Sequence, residues 1–172
     1  SNAFTVTVDG TPMPADLVPL MVSAVVDDSL NLPDLVLLRF RDPDRTVLAK
    51  SGVKIGSKLV VAATSRGSTT PAPLITAEVT ALEVEFDTTG TFTVVRGFDP
   101  AHRLFRGRRT ETYTQVTASD VAKKVAQRVG LTLGTVDATS TVFDHLSQGG
   151  VSDWEFLDGL AREIGHEVAV KD

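Results

Sequence analysis

The chain has 172 residues and a mass of 18.3 kDa, enough for one domain or two small ones with a useful core. A hydrophobic fraction of 42% against 23% charged residues is ordinary for a globular protein, and a formal net charge of −5 argues against a broad basic face for nucleic acid. With no cysteine there is neither disulfide nor thiolate metal site, and no apolar run approaches the ~20 residues of a membrane span.

Ser1-Asn2-Ala3 reads as the scar of a cleaved expression tag and is set aside. From residue 4 to about residue 105 the pattern is β. Phe4, Val6 and Val8 alternate with threonines, and Asp9-Gly10 offers a turn. Leu17–Val26 and Leu35–Arg41 are apolar runs, separated by Asp27-Asp28, Asn31 and Pro33, and Asp42-Pro43-Asp44 signals another turn. Lys58–Thr64 is a strand candidate, and a Ser/Thr/Gly/Pro-rich loop follows over 65–73. In Leu74–Phe86 the apolar positions change parity, from Ile75, Ala77 and Val79 to Leu82, Val84 and Phe86. Strand side chains alternate with period two, so the phase change calls for a bulge or bend near Thr80-Ala81. Asp87–Gly90 then turns the chain into Phe92, Val94, Arg96 and Phe98. Short strands, one bent hairpin and few helix signals predict a small closed or nearly closed antiparallel β-barrel, with a sandwich as the alternative.

After Arg106 the pattern becomes α+β. Glu111–Val116 reads as a short strand. Thr117-Ala-Ser-Asp120 is a capping box, and Val121, Val125 and Val129 repeat every fourth residue up to Gly130, which predicts a helix over 118–129. Residues 131–150 read as irregular. Ser152 and Glu155 form a second capping box, Phe156, Leu157, Leu160, Ala161 and Ile164 share one helical face, and Gly165 suits a left-handed stop, which predicts a helix over 153–164. Val168 and Val170 then alternate as a strand would. With no partner strand before Asp172, the expectation is a piece of a longer protein: β-barrel at 4–105 and an α+β subdomain at 106–172.

Candidate chemistry is sparse. Gly52-Val-Lys-Ile-Gly-Ser-Lys58 has one residue too few between its glycines for a phosphate loop and has Ser before Lys, so it reads as a turn into a strand. His102, His145 and His166 lack metal-ligand spacing, and Asp144-His145 has no nucleophile elbow beside it. Glu83 and Glu85 share a strand face opposite Leu82 and Val84, as on a solvent face. No catalytic, cofactor or metal site is expected. Arg103, Arg106, Arg108 and Arg109 are the densest charge feature, read either as a docking surface for an acidic partner protein or as a solvated linker. Trp154 reads as core, anchoring its helix start on the barrel, with an interface anchor as the alternative.

Two passages resemble one family. The segment Gln148-Gly-Gly-Val-Ser-Asp-Trp-Glu-Phe-Leu157, continuing to Ala161-Arg-Glu-Ile-Gly165, is similar to the signature of phage late control gene D proteins, relatives of the valine-glycine repeat protein G spikes of type VI secretion. Val95-Arg-Gly-Phe-Asp99, Pro100-Ala-His-Arg-Leu104 and the basic stretch Arg106–Arg109 match a second passage in the same order. The resemblance implies a structural baseplate hub similar to the T4-type tail hub. Such a hub is a trimer whose chains each hold two tail-tube-like barrels with an α+β insertion between them. Implied partners are other copies of the chain, the tail tube protein and the spike protein, with no nucleic acid, membrane anchor or cofactor. The implied location is the cytoplasm during assembly, then a phage or phage-like particle. The rival readings are a carbohydrate- or peptidoglycan-binding module and a phage-associated cell-wall hydrolase.

Overall fold

The computed structural model describes residues 4–29, 32–64 and 70–170. The chain forms two compact units, one running to Pro100 and the other from Ala101 onward. The tag-scar residues and most of the 65–73 loop lie outside the described residues.

The first unit is one antiparallel sheet of seven strands in the order β2-β1-β5-β6-β7-β4-β3. The strands are β1 (Phe4–Val8), β2 (Thr11–Pro12), β3 (Met21–Asp27), β4 (Leu35–Arg41), β5 (Lys58–Ala63), β6 (Ala72–Asp87) and β7 (Gly90–Phe98). The β1–β2 turn is the expected Asp9-Gly10, with both residues at positive φ (50° and 82°). The 16-residue β6 carries the architecture. Its first part pairs with β5 and its second with β7, and the register with β7 slips between Val79 and Ala81, where the parity change required a bulge. Gly97 of β7 lies opposite that crossing. A Cβ there would stand 2.9 Å from the Glu78 carbonyl oxygen, so the close approach of two backbones requires glycine.

Val6, Val36, Leu38, Phe40, Leu59, Val61, Ile75, Val79 and Val95 fill one core from one face of the sheet. Each fully buried Leu or Phe side chain contributes about 1.5–3 kcal/mol. The expected barrel differs in one respect: β2 and β3 do not pair with each other among the described residues, so the seven strands form an open row. β2 is only two residues long and ends in Pro12, which has no N–H to donate.

A short helix, α1 (Val47–Ser51), was not foreseen. Buried Asp42 supports it: its carboxylate accepts from the backbone N–H of Thr46 (2.8 Å) and Val47 (3.2 Å) and from the Thr93 hydroxyl (2.8 Å). The turn signal at Asp42-Pro43-Asp44 thus concealed a helix cap. Gly52 closes α1 in the left-handed conformation (φ 70°), so the phosphate-loop lookalike is a helix stop and turn.

The second unit places two helices, α2 (Ala118–Val129) and α3 (Asp153–Glu163), on a two-stranded antiparallel sheet of β8 (Arg109–Thr117) and β9 (Val142–Val151). Both capping boxes are formed, each with the cap hydroxyl accepting from the third backbone N–H and the acidic side chain returning the bond. Gly130 and Gly165 take the expected left-handed stops, at φ 70° and 72°. Two expectations fail. The segment read as irregular contains β9, and the chain at 166–170 is not a strand, although Val168 and Val170 pack against the core of this unit. β9 escaped a period-two reading because its apolar residues Phe143 and Leu146 differ in parity. They face Val116 and Tyr113 of β8, where Gln115 at φ 51° twists the strand so that both partners are buried.

Candidate functional site

The arginine-bearing segment begins in a 3-10 turn, Pro100–Phe105, and ends at the first residue of β8. Half-buried Arg103 donates to the Gly130 carbonyl at 2.7 Å, where a cation meets the negative end of α2. Arg106 lies 2.5 Å from Nε2 of His102, which is buried. Arg108 donates to the Gly150 carbonyl at 3.3 Å, and Arg109 stands opposite Val151 in the ladder. Arg106, Arg108 and Arg109 are exposed. The segment is thus fastened to its own unit while presenting positive charge outward. Arg108 also adds to the lowering of the Glu155 pKa, after the Ser152 backbone N–H and hydroxyl that hold this carboxylate first.

The remaining candidates separate. His145 and His166 are exposed, and His166 meets the Ile164 carbonyl at 3.0 Å. Asp144 accepts from Gln115 at 2.7 Å, which ties β9 to β8. Trp154 stacks on Phe105 with ring centroids 5.2 Å apart, both within the second unit, where a packing partner in the barrel had been expected. Among the described residues no group of three His, Asp or Glu side chains is placed to hold a metal ion. No described helix is long and apolar enough to cross a membrane.

Glu83 and Glu85 lie on the outer face of the β6–β7 hairpin, in a lattice of ion pairs. Arg39 bonds Glu85 at 2.9 Å and Asp87 at 3.1 Å, and Arg96 meets Glu83 at 3.2 Å. Beneath it Phe92 and Val94 are buried although they point away from the core, with the Arg39 guanidinium 3.6 Å from the Phe92 ring centre. Hydrogen bonds from the Thr89 hydroxyl and backbone N–H, then Arg39, lower the Asp87 pKa.

The constellation that sequence reading missed is a half-buried cluster in the second unit. Arg128, in the last turn of α2, donates to Asp153 (2.6 Å), Glu111 (2.5 Å) and the Tyr113 hydroxyl (3.1 Å). Gln148, fully buried, donates to the same Asp153 oxygen at 2.9 Å and to the Val151 carbonyl at 3.1 Å. Burial opposes the Arg128 charge, yet Tyr113, Asp153 and Glu111 together raise its pKa. The carboxylate at the start of α3 therefore joins α2 and β9, and Arg128 ties β8 to the same cluster. Gln148 and Asp153 were visible as parts of a signature, but nothing in the spacing announces Arg128 as their partner.

A family described as the Alg8 N-terminal domain matches residues 76–172, more than half of the chain. The chain belongs to this family. The match opens inside β6 and spans the whole second unit. No curated protein matches the sequence. Three solved structures share the fold at low identity. The 43 kDa tail protein of prophage MuSo2 from Shewanella oneidensis is 17% identical with a TM-score of 0.69, over 96% of this chain and 49% of that one. A tail protein from Neisseria meningitidis MC58 is 16% identical with a TM-score of 0.59, over 96% and 47%. The E. coli c3393 protein is described as a type VI secretion component with structural similarity to the T4 bacteriophage tail proteins gp27 and gp5. It is 14% identical with a TM-score of 0.60, over 92% of this chain and 43% of that one. This family member thus spans just under half the length of each of these three structures.

Proposed function

We propose that the chain is a structural part of the baseplate hub of a phage tail or phage-like contractile injection system, of the late control gene D and valine-glycine repeat protein G type. The observation that carries this reading is the fold likeness to two tail proteins and a type VI component over 92–96% of the chain. The signature residues fit a structural role: Gln148 and Asp153 hold α3 to the rest of their unit, and Ser152 caps its first turn.

In this reading the full-length protein is a trimer that joins tail tube to spike, assembles in the cytoplasm and ends in the particle. The open sheet is one barrel of a pair, closed within the assembled hub. The exposed Arg106, Arg108 and Arg109, with Arg103 behind them, dock an acidic surface of a tube or spike protein, and no catalysis is assigned.

Deleting the gene from the producing strain tests the proposal. Electron microscopy should then show particles without completed baseplates, restored by the intact gene. Reversing Arg106, Arg108 and Arg109 to Glu should leave the protein folded and the baseplates incomplete. Normal particles from the deletion strain would contradict the reading.

A further inference from the structure

Among the described residues two buried side-chain atoms have no protein partner, Nε of Arg128 and Oε1 of Gln148. One is a donor and the other an acceptor, and both belong to the cluster around Asp153. Nη2 of Arg128 and Nε2 of Gln148 converge on the same Asp153 oxygen, Oδ1, at 2.6 and 2.9 Å. Gln148 also stands directly opposite Glu111 in the β8–β9 ladder, so these two side chains share one face of the sheet. Glu111 in turn accepts from Arg128. The guanidinium is thereby held beside the Gln148 amide by both of its carboxylate partners.

Turning the amide over does not supply the missing partner. With oxygen and nitrogen exchanged, Gln148 would direct an acceptor at Asp153 Oδ1 and at the Val151 carbonyl, which are acceptors themselves. The orientation is therefore fixed, and Oε1 needs a proton donor. Gln148 is fully buried, and native proteins rarely leave a buried polar atom unbonded, because its lost hydration goes uncompensated.

We propose that one buried water molecule bridges the two atoms, accepting from the Arg128 Nε–H and donating to Gln148 Oε1. Water can do both at once, whereas a cation suits only the amide oxygen and an anion only the guanidinium. Proteins hold about one buried water per 27 residues, each typically serving otherwise unsatisfied polar groups such as these. The bridge joins α2 to β9 a second time, beside their shared contact with Asp153. It also gives glutamine a reason to stand at 148. Glutamate there would set a second carboxylate against Asp153, and methionine, of similar length, offers Asp153 no donor and the water no acceptor. The inference concerns the interior of the second unit and does not depend on the tail reading.

A crystal structure of the chain that resolves ordered solvent tests this, together with one of Gln148→Met. One water should lie within hydrogen-bond distance of both Arg128 Nε and Gln148 Oε1, and Q148M should lose it. In solution, the Arg128 Nε–H of the unmodified chain should show cross-relaxation with a long-lived water, a readout that stands even where Q148M does not fold. A direct bond between Nε and Oε1, a protein donor on Oε1, or a water that touches only one of the two atoms would overturn the proposal. So would an Arg128 Nε–H without cross-relaxation to long-lived water.

Discussion

The first unit keeps its ion pairs on the outer face of its sheet, whereas the second pairs an arginine with a buried carboxylate. Arg39, Glu85, Asp87, Glu83 and Arg96 lie on the outer face of a sheet whose other face is packed with aliphatic side chains. In the second unit, α2 and β9 meet α3 at Asp153, which is 6% exposed, and β8 joins them through Arg128. The same kinds of group have opposite weight in the two places. Exposed ion pairs contribute between nothing and about 1 kcal/mol, while breaking a buried pair costs about 3–5 kcal/mol because a charge is left without a partner. The lattice is therefore expendable and the buried junction is not.

The largest expected effect follows from removing that junction. Asp153→Ala leaves the buried Gln148 amide without this acceptor and Arg128 with only Glu111 and Tyr113, and should cost the second unit about 1–3 kcal/mol. Hydrogen exchange should show lost protection in β8 and β9 and unchanged protection in β4 and β7. Uniform loss across both units would break the comparison. Next come the helix caps: Thr117→Ala and Ser152→Ala should each cost about 1 kcal/mol, read from thermal unfolding. Third is the outer lattice. Glu85→Gln should change stability by less than about 1 kcal/mol. Arg39→Ala should cost more than Glu85→Gln, because Arg39 also covers Phe92. If Glu85→Gln proved as damaging as Asp153→Ala, burial would not be the deciding variable.

Acid gives the smallest effect, and it should touch both units. Asp9 and Asp87 in the first, and Asp120 and Glu155 in the second, have lowered pKa values, held chiefly by hydrogen bonds from turn and cap groups. Carboxylates depressed in the folded state add stability above their unfolded pKa and lose it as pH falls through the folded one. The midpoint of thermal unfolding should therefore fall from about pH 5 to about pH 3. A midpoint that rises over that interval would contradict these assignments.

What the sequence revealed depended on whether the information was local. Both helices of the second unit were legible because a capping box and a glycine stop lie within a few residues of the ends they mark. The bulge near Thr80-Ala81 was legible because a parity change has only one remedy in a paired strand. β9 was hidden by the twist at Gln115, and α1 by a cap that comes from Asp42, four residues before its N-cap residue Thr46. The junction at Asp153 was illegible for the same reason. Arg128, Gln148 and Asp153 meet only after β8 and β9 have paired. The arginine segment was located by its composition, but its carbonyl contacts at Gly130 and Gly150 lie far away in sequence.

The hub reading rests most directly on the oligomeric state of the natural full-length protein. Size exclusion with light scattering should give a trimer at micromolar concentration, while the 172-residue chain runs as a monomer or only weakly associated. A full-length protein that remains monomeric at that concentration would contradict the account.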